Sequence, residues 1–441
     1  MWRMSQKGGF RVSGFAKLAL CVAISMVGAA NVQALSLQEA VEHTLQTNPE
    51  VQAARNEYQS RTAEVRLAKS DYLPTVELGA GLGRQTLESQ STGGDEVTLT
   101  RHEASLSARQ LLFDGFATSS EIKRQSARSD SASYKVLEAE ENTSLRVAEA
   151  YLNLMRYNEL LQLARETLYE HQNIHDQMVL RNKSGVGSKA DLDQISARLA
   201  LAYSNMISAQ SNLLDARTNF YRVTGLSPDI DELRMPGNPA SLPASLQSAE
   251  ELALQQHPTL QSATSDVQSA EAQYKSSESN YWPRLQLEAD KRWDENIDGV
   301  EGDSEDLIVA VRLTYNLYNG GGDKARRRQT AHLLEESRDV RNNTHRQVIE
   351  SLRLSWSAYQ TITEQMKYLQ MHVESALDTK ASYNKQFDIG RRTLLDLLNT
   401  ENEVVGAKRA LVNARFDHLF SQYRIFNSMG QLLQELGNSA S

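Results

Sequence analysis

"RLQLEADKRW" occupies residues 284–293, and the fold turns on how it is read. Leu285, Leu287, Ala289, Lys291 and Trp293 alternate with Arg284, Gln286, Glu288, Asp290 and Arg292. A period of two places these sets on opposite faces of a β-strand, one greasy and one wet. The chain around this stretch reads instead as long polar helix. A second alternating run spans 307–318, where Leu307, Val309, Val311, Leu313, Tyr315 and Leu317 share a face. The acidic "DENIDGVEGDSED" (294–306) between them reads as a solvent loop, giving a hairpin over 284–318. Further upstream, "TVELGAGLGR" (75–84) sets Val76, Leu78, Ala80 and Leu82 on one face, and its partner falls within 97–113 with a less clean phase. That makes a first hairpin over 75–113.

Runs of about ten residues with aromatic residues near their ends suit a transmembrane β-barrel with a polar interior. A sheet edge cannot face hydrocarbon, because each unpaired N–H or C=O there costs several kcal/mol. Four strands cannot enclose a water-filled lumen, since barrels start near about eight. Strands in a membrane therefore require other copies of the chain to complete the barrel. The competing arrangement is two soluble hairpins packed on helices.

The chain has 441 residues, 40% hydrophobic and 7% aromatic, with a mean hydropathy of −0.51. This excludes a helical membrane protein. The longest apolar run, Leu18 to Ala30, is too short to span a bilayer. It follows Arg3, Lys7, Arg11 and Lys17 and precedes Val32-Gln33-Ala34, so residues 1–34 read as a signal peptide cut after Ala34. The single cysteine, Cys21, lies inside it, leaving no disulfide or thiolate in the exported chain. Losing four cations makes that chain more acidic than the formal −9 of the whole. Nucleic acid is a poor partner for such a surface.

The rest is one plan used twice. Asn48-Pro49 answers His257-Pro258, and Tyr72-Leu73-Pro74 answers Tyr281-Trp282-Pro283, both at an offset of 209. "LFDG" (112–115) answers "LYNG" (317–320) at 205, and "GSKADLD" (187–193) answers "GRRTLLD" (390–396) at 203. The first repeat covers 35–230, a proline-rich linker 231–246, and the second repeat 247–441. In each, a short helix precedes one opened by the proline, with Asn48 capping its helix in the first repeat. A hairpin follows, then a very long helix (116–184; 322–388), a glycine turn and a last helix (188–224; 392–436).

Helices this long reach roughly 100 Å and need partners throughout. Leu145, Ala148, Leu152 and Met155 form one stripe, and Tyr151, Leu154, Leu161 and Leu168 an adjacent one. Two seams fit a ring of helices, and the helices alone fit an antiparallel coiled coil equally.

Signal peptide, duplication, paired Asn-Pro and Tyr-x-Pro signals, "LFDG" and "LYNGG", and the glycine turns before "DLDQISAR" and "RRTLLDLL" together resemble the TolC family of outer-membrane channel proteins. The likeness covers essentially all of the chain after residue 34. "LYNGGG…ARRRQ" and "GRRTLLDLLNTENE" look most similar to the type I secretion branch, including adhesin export. The resemblance implies a mainly α fold with a small antiparallel β part. It implies a homotrimer whose chains each give four strands to one barrel, continued by a long α-helical barrel in the periplasm. It also implies a periplasmic adaptor, an inner-membrane ABC transporter, outer-membrane lipid around the strands, no cofactor and no chemistry.

The family's periplasmic gate maps onto particular residues here. The tips that meet an adaptor correspond to Gly185, Val186, Gly187, Ile389, Gly390 and Arg391. Asp193 and Asp396 fall on family aspartates and Arg392 on a latching arginine. Three Asp396 carboxylates near one axis would form a cation ring and raise one another's pKa. The sequence departs from the family at Asn399, where a second ring aspartate is common, and at Phe387, where a latching tyrosine is common. Both departures imply a looser gate. The plainer reading is that Asp193 and Asp396 only cap and solvate their helices.

Other motifs carry less. His171 and His175 are four apart on a helix but no third ligand is near, so a solvated helix face is expected and no metal site. "NGGGDK" (319–324) lacks the phosphate-loop ending and reads as a strand-to-helix hinge. Lys324, Arg326, Arg327 and Arg328 follow that hinge, fit to touch lipid headgroups, to pair with carboxylates or to stand in water. No nucleophile–base arrangement appears, and an enzyme is not expected. Three functions remain: a type I secretion duct, a multidrug efflux duct, and a soluble periplasmic coiled-coil adaptor or scaffold.

Overall fold

A computed structural model describes residues 35–438 apart from 89, 238 and 240. The expected signal peptide and Cys21 lie outside the described residues. The first repeat runs α1 (Leu37–Thr47), α2 (Pro49–Ser70), β1 (Thr75–Glu88), β2 (Glu96–Phe113), α3 (Ala117–Lys183) and α4 (Lys189–Thr224). The second runs α5 (Leu246–Gln256), α6 (Pro258–Ser276), β3 (Arg284–Glu295), β4 (Asp303–Thr314), α7 (Gly322–Asp388), α8 (Leu394–Met429) and α9 (Leu432–Asn438). Both long helices have 67 residues, and α4 and α8 have 36 each.

Local chemistry fixes the boundaries. Ser36 and Glu39 close a capping box on α1. The Asn48 side chain accepts the Glu50 amide at 2.9 Å, with Pro49 opening α2. Pro74 and Pro283 then force extended backbone before them and end helix. Neither long helix contains a proline, so each runs unbroken.

The four strands form one antiparallel sheet in sequence order. The expected second hairpin is corrected at both ends. Its outer strand is Asp303–Thr314, not 307–318. Thr314 pairs with Arg284, and the next partner would be Pro283, which has no N–H to give. Tyr315 to Tyr318 therefore leave the sheet. At the far end the acidic residues join the strand: Lys291 donates to Glu305 at 2.7 Å, and the loop shrinks to a turn in which the Asn296 amide donates to Gly302 O. The blurred phase of β2 has a cause in a bulge between Leu111 and Phe113.

The expected last helix, 392–436, is also corrected. It breaks at Gly430, whose φ is 72°. A Cβ there would sit 2.6 Å from Pro258 Cδ, so only glycine can make the turn. The chain restarts as α9, with Glu141 of α3 accepting the Leu432 and Leu433 amides at 3.1 Å each.

The main core sits at mid-height, where Tyr151, Leu152, Phe220, Leu352, Phe416 and Met429 are buried together. Here the Tyr151 hydroxyl lies 2.8 Å from Leu35 O and 2.6 Å from Arg234 O, clamping the linker onto α3. Helix α3 packs on α2, α4, α6 and α8. Four neighbours on several faces are what a curved wall of helices needs and what a simple coiled coil lacks. His171 is buried, its Nδ1 2.8 Å from Thr167 O, which corrects the expected solvated face.

Candidate functional site

The strands and the helix tips lie at opposite ends of α3 and α7. On β1 the apolar face runs from Val76 to Leu82, and on β4 from Leu307 to Leu313. Across the sheet, Val76 connects through Ala108 and Ala289 to Val309, and Leu82 through His102 and Glu295 to Asp303. Both ends of the belt on β4 thus lie four residues nearer the helices, at 313 instead of 309 and 307 instead of 303. Four strand residues are about 13 Å and three strand spacings about 14 Å. A belt level with a membrane then demands strands tilted by roughly 40°, the tilt of outer-membrane barrels. The opposite face is charged, with Arg312 donating to Glu288 at 2.8 Å and Arg109 3.9 Å from Glu77.

The tips are built around a second, smaller core of Met178, Ile195, Phe387, Leu394, Leu397 and Leu398. It ties the ends of α3, α4, α7 and α8 together. Gly185 turns the chain at φ 73°, and the Val186 and Gly187 amides both donate to Arg181 O at 3.0 Å. In the other turn Gly390 has φ 76°, Ile389 closes α7, and the Arg391 amide donates to Gln386 O at 2.8 Å. Val186 and Ile389 are left exposed at the extremity.

The expected gate residues divide into three groups. Arg392 stacks its guanidinium 4.1 Å from the Tyr383 ring centre and donates from Nε to Gln386 at 3.0 Å. It stands 3.9 Å from the Asp396 carboxylate. Asp396 closes a capping box with Thr393 on α8. The Thr393 hydroxyl, then the Thr393 amide, then Arg392 hold its carboxyl below the usual range. Asp396 and Asn399 share a hollow of about 380 Å³ with His372, Tyr383 and Glu403. Phe387 is buried with the Arg181 guanidinium 4.6 Å over its ring, so a cation–π contact joins the tips of α3 and α7 where a hydroxyl bond was counted lost. Asp193 stands apart and exposed. The cap of α4 is made by Ser188, whose hydroxyl accepts the Asp191 amide at 3.0 Å, so Asp193 does not cap. Arg181, Tyr383 and Gln386 are the partners that the sequence reading missed. The signal for the latter two is their place nine and six residues before Arg392, across one glycine turn.

A family model described as outer membrane efflux protein matches residues 40–226 and 250–431. The chain belongs to the outer membrane efflux protein family. Among relatives, it is 24% identical over 401 residues to the outer membrane efflux protein BepC of Brucella suis biovar 1, covering 90% of this chain and 86% of that one. It is 25% identical over 409 residues to the alkaline protease secretion protein AprF of Pseudomonas aeruginosa, covering 89% and 84%. The outer-membrane channel OprN superposes with a TM-score of 0.81 over 90% of each chain at 18% identity, a likeness of fold. As a TolC-family outer-membrane efflux channel, the protein sits with its sheet in the outer membrane and its long helices in the periplasm. The family is one of conduits in transport systems.

Proposed function

We propose that three copies of this chain assemble into one duct and pass protein cargo outward in a type I secretion system. One observation carries the assembly: strands β1 and β4 are both sheet edges in the single chain, yet their belt must lie in hydrocarbon. Pairing β1 of one copy with β4 of the next leaves no edge in a twelve-stranded barrel, three times the four strands of one chain. Substrate crosses without chemistry. An inner-membrane ABC transporter supplies the energy, and a periplasmic adaptor docks on the tips at Gly185 to Gly187 and Ile389 to Arg391.

The name of AprF favours protein cargo. The name of BepC favours a second reading, an efflux duct for small molecules. Within either, Arg392, Asp396 and Phe387 hold the periplasmic end narrow, and threefold symmetry brings three Asp396 carboxylates together as a cation ring. Repulsion within that ring acts against the lowering by Thr393 inside each protomer.

The test is the mass of the detergent-purified protein and its conductance in planar bilayers. A trimer with cation-selective steps is expected, and Asp396→Ala should lower the selectivity and relieve block by divalent cations. A water-soluble monomer without conductance sinks the duct, and unchanged selectivity in Asp396→Ala sinks the ring. Loss of a secreted protein from the medium of a deletion strain, with drug sensitivity unchanged, separates secretion from efflux.

A further inference from the structure

The two ends of the barrel carry opposite charge. The turns farthest from the helices are wholly acidic: residues 85–100 and 293–306 hold ten carboxylates and no lysine or arginine. At the foot, where each strand meets a helix, the balance reverses. Lys69 precedes β1, Lys123 follows β2, Lys275 precedes β3, and Lys324, Arg326 and Arg328 follow β4. All six are exposed. Among the described residues none of the six side chains has a hydrogen bond or ion pair. Of the carboxylates nearby, only Asp71 at the end of α2 has no side-chain partner among the described residues. Asp114 accepts from the Thr118 amide and hydroxyl, Glu121 pairs with Arg124, Glu278 with Arg327, and Asp323 accepts from Asn280 and Asn319.

The height of these cations follows from the fold. Lys324 and Arg328 are the third and seventh residues of α7 and Lys123 the seventh of α3. At 1.5 Å per residue they lie within about 10 Å of the helix starts. Lys69 and Lys275 are the penultimate residues of α2 and α6. Between belt and cations stands a ring of exposed aromatic residues, including Phe116, Trp282, Tyr315 and Tyr318, the side chains that settle at a bilayer interface. The headgroup layer is about 5–7 Å deep on each side of the hydrocarbon. The cations therefore stand at its depth. A hollow of about 400 Å³ between α3, α6 and α7, lined by Arg326, Ser276, Gln329 and the Glu121–Arg124 pair, lies at the same level.

From this we infer that the foot of the barrel is a basic collar that binds the phosphates of anionic phospholipids in the periplasmic leaflet. The collar selects phosphatidylglycerol-type headgroups over zwitterionic ones, because six cations per chain, offset nearby only by Asp71, meet a net negative surface. It also fixes the height of the channel, since sinking deeper would bury these charges in hydrocarbon and rising would strip them of phosphate. The inference rests on the outer-membrane placement and on nothing assumed about cargo.

The wild-type protein is reconstituted into nanodiscs of phosphatidylethanolamine with and without one quarter phosphatidylglycerol, and the lipids retained through detergent exchange are counted by native mass spectrometry. Each cation at an anionic surface is worth roughly fivefold in affinity, so the ratio of phosphatidylglycerol to phosphatidylethanolamine among retained lipids should exceed the bulk ratio well above tenfold, falling several-fold in 0.5 M salt (about a 4 Å screening length). The triple variant Lys324→Gln, Arg326→Gln, Arg328→Gln should lose most of the enrichment while its conductance stays that of wild type. Wild-type protein that inserts and conducts without enriching phosphatidylglycerol overturns the collar and leaves the duct standing. A triple variant that no longer assembles even in phosphatidylethanolamine assigns the cations to protein–protein pairing, which also overturns it.

Discussion

Two titratable residues, the buried Glu141 and the half-buried His257, face the same turn of the chain around Gly430. Glu141 is pushed up to about 7 because burial penalises its charge, against the pull of the Leu433 and Leu432 amides that it accepts. His257 is pushed down to about 4 by burial alone, and its Nδ1 has no partner among the described residues. Their effects on stability run in opposite directions. The raised Glu141 favours the folded state most below about pH 4.5, and that advantage fades as pH climbs to about 7. The depressed His257 favours it above about pH 6.5, and that advantage fades as pH falls to about 4. Each swing is on the order of 3 kcal/mol, so in the wild type they nearly cancel between about pH 4.5 and 6.5. Glu141→Gln should expose the histidine slope, with the melting temperature falling as pH is lowered from 6.5 to 4.5. His257→Gln should expose the carboxylate slope, with the melting temperature rising over the same interval. Thermal melts followed by circular dichroism across that range check both signs. None of this was legible in the sequence, because Glu141 and Leu432 are 291 positions apart. The helix tips show the same limit more mildly. Arg392 and Asp396 could be named by motif, but Tyr383, Gln386 and Arg181 only become partners once two turns are folded.

At the scale of elements, the sequence carried most of the boundaries, because they are set by residues with strong local preferences. Pro49, Pro74, Pro258 and Pro283 punctuate both repeats, and alternation marked three of the four strands. The misreadings share one cause: a tertiary partner overrode a local pattern. Pro283 ended β4 early by denying Thr314 a continuing neighbour, and Pro258 forced a break in the last helix by standing where a side chain at 430 would go. Gly430→Ala should therefore cost stability twice, through a left-handed backbone at φ 72° and through overlap with Pro258, about 2–4 kcal/mol together. The side-chain bond from Gln431 to Gln256, 2.7 Å long, should be lost with it. Faster proteolysis at the α8–α9 junction, with the barrel strands intact, is the expected readout. Cleavage as slow as in the wild type would show that the turn relaxes freely.

On the scale of the whole molecule, the single chain has one feature that cannot be satisfied alone: two open sheet edges inside an apolar belt. In the assembled duct every strand has two neighbours, so hydrogen exchange gives a specific expectation. About half of the amides of β1 and β4 should change from fast to slow exchange on assembly, those facing outward from the isolated sheet, while β2 and β3 change little. Equal protection of all four strands before and after assembly would place the partners of β1 and β4 within the chain itself. The architecture was legible because duplication repeats its signals and because a strand read as ten alternating residues implies a thickness. The choice of cargo was not legible, because no residue pattern in the chain distinguishes one cargo from another.

Counting repeats instead of chains gives a different view of the periplasmic rim. A trimer of duplicated chains presents six turns to whatever meets it, but of two alternating kinds. One is Gly185-Val186-Gly187, pinned to Arg181 O. The other is Ile389-Gly390-Arg391, beside a stacked arginine. A visitor that arrives as six equal subunits must therefore use each of its copies in one of two roles, so a single substitution on the visitor disturbs two unlike seats at once.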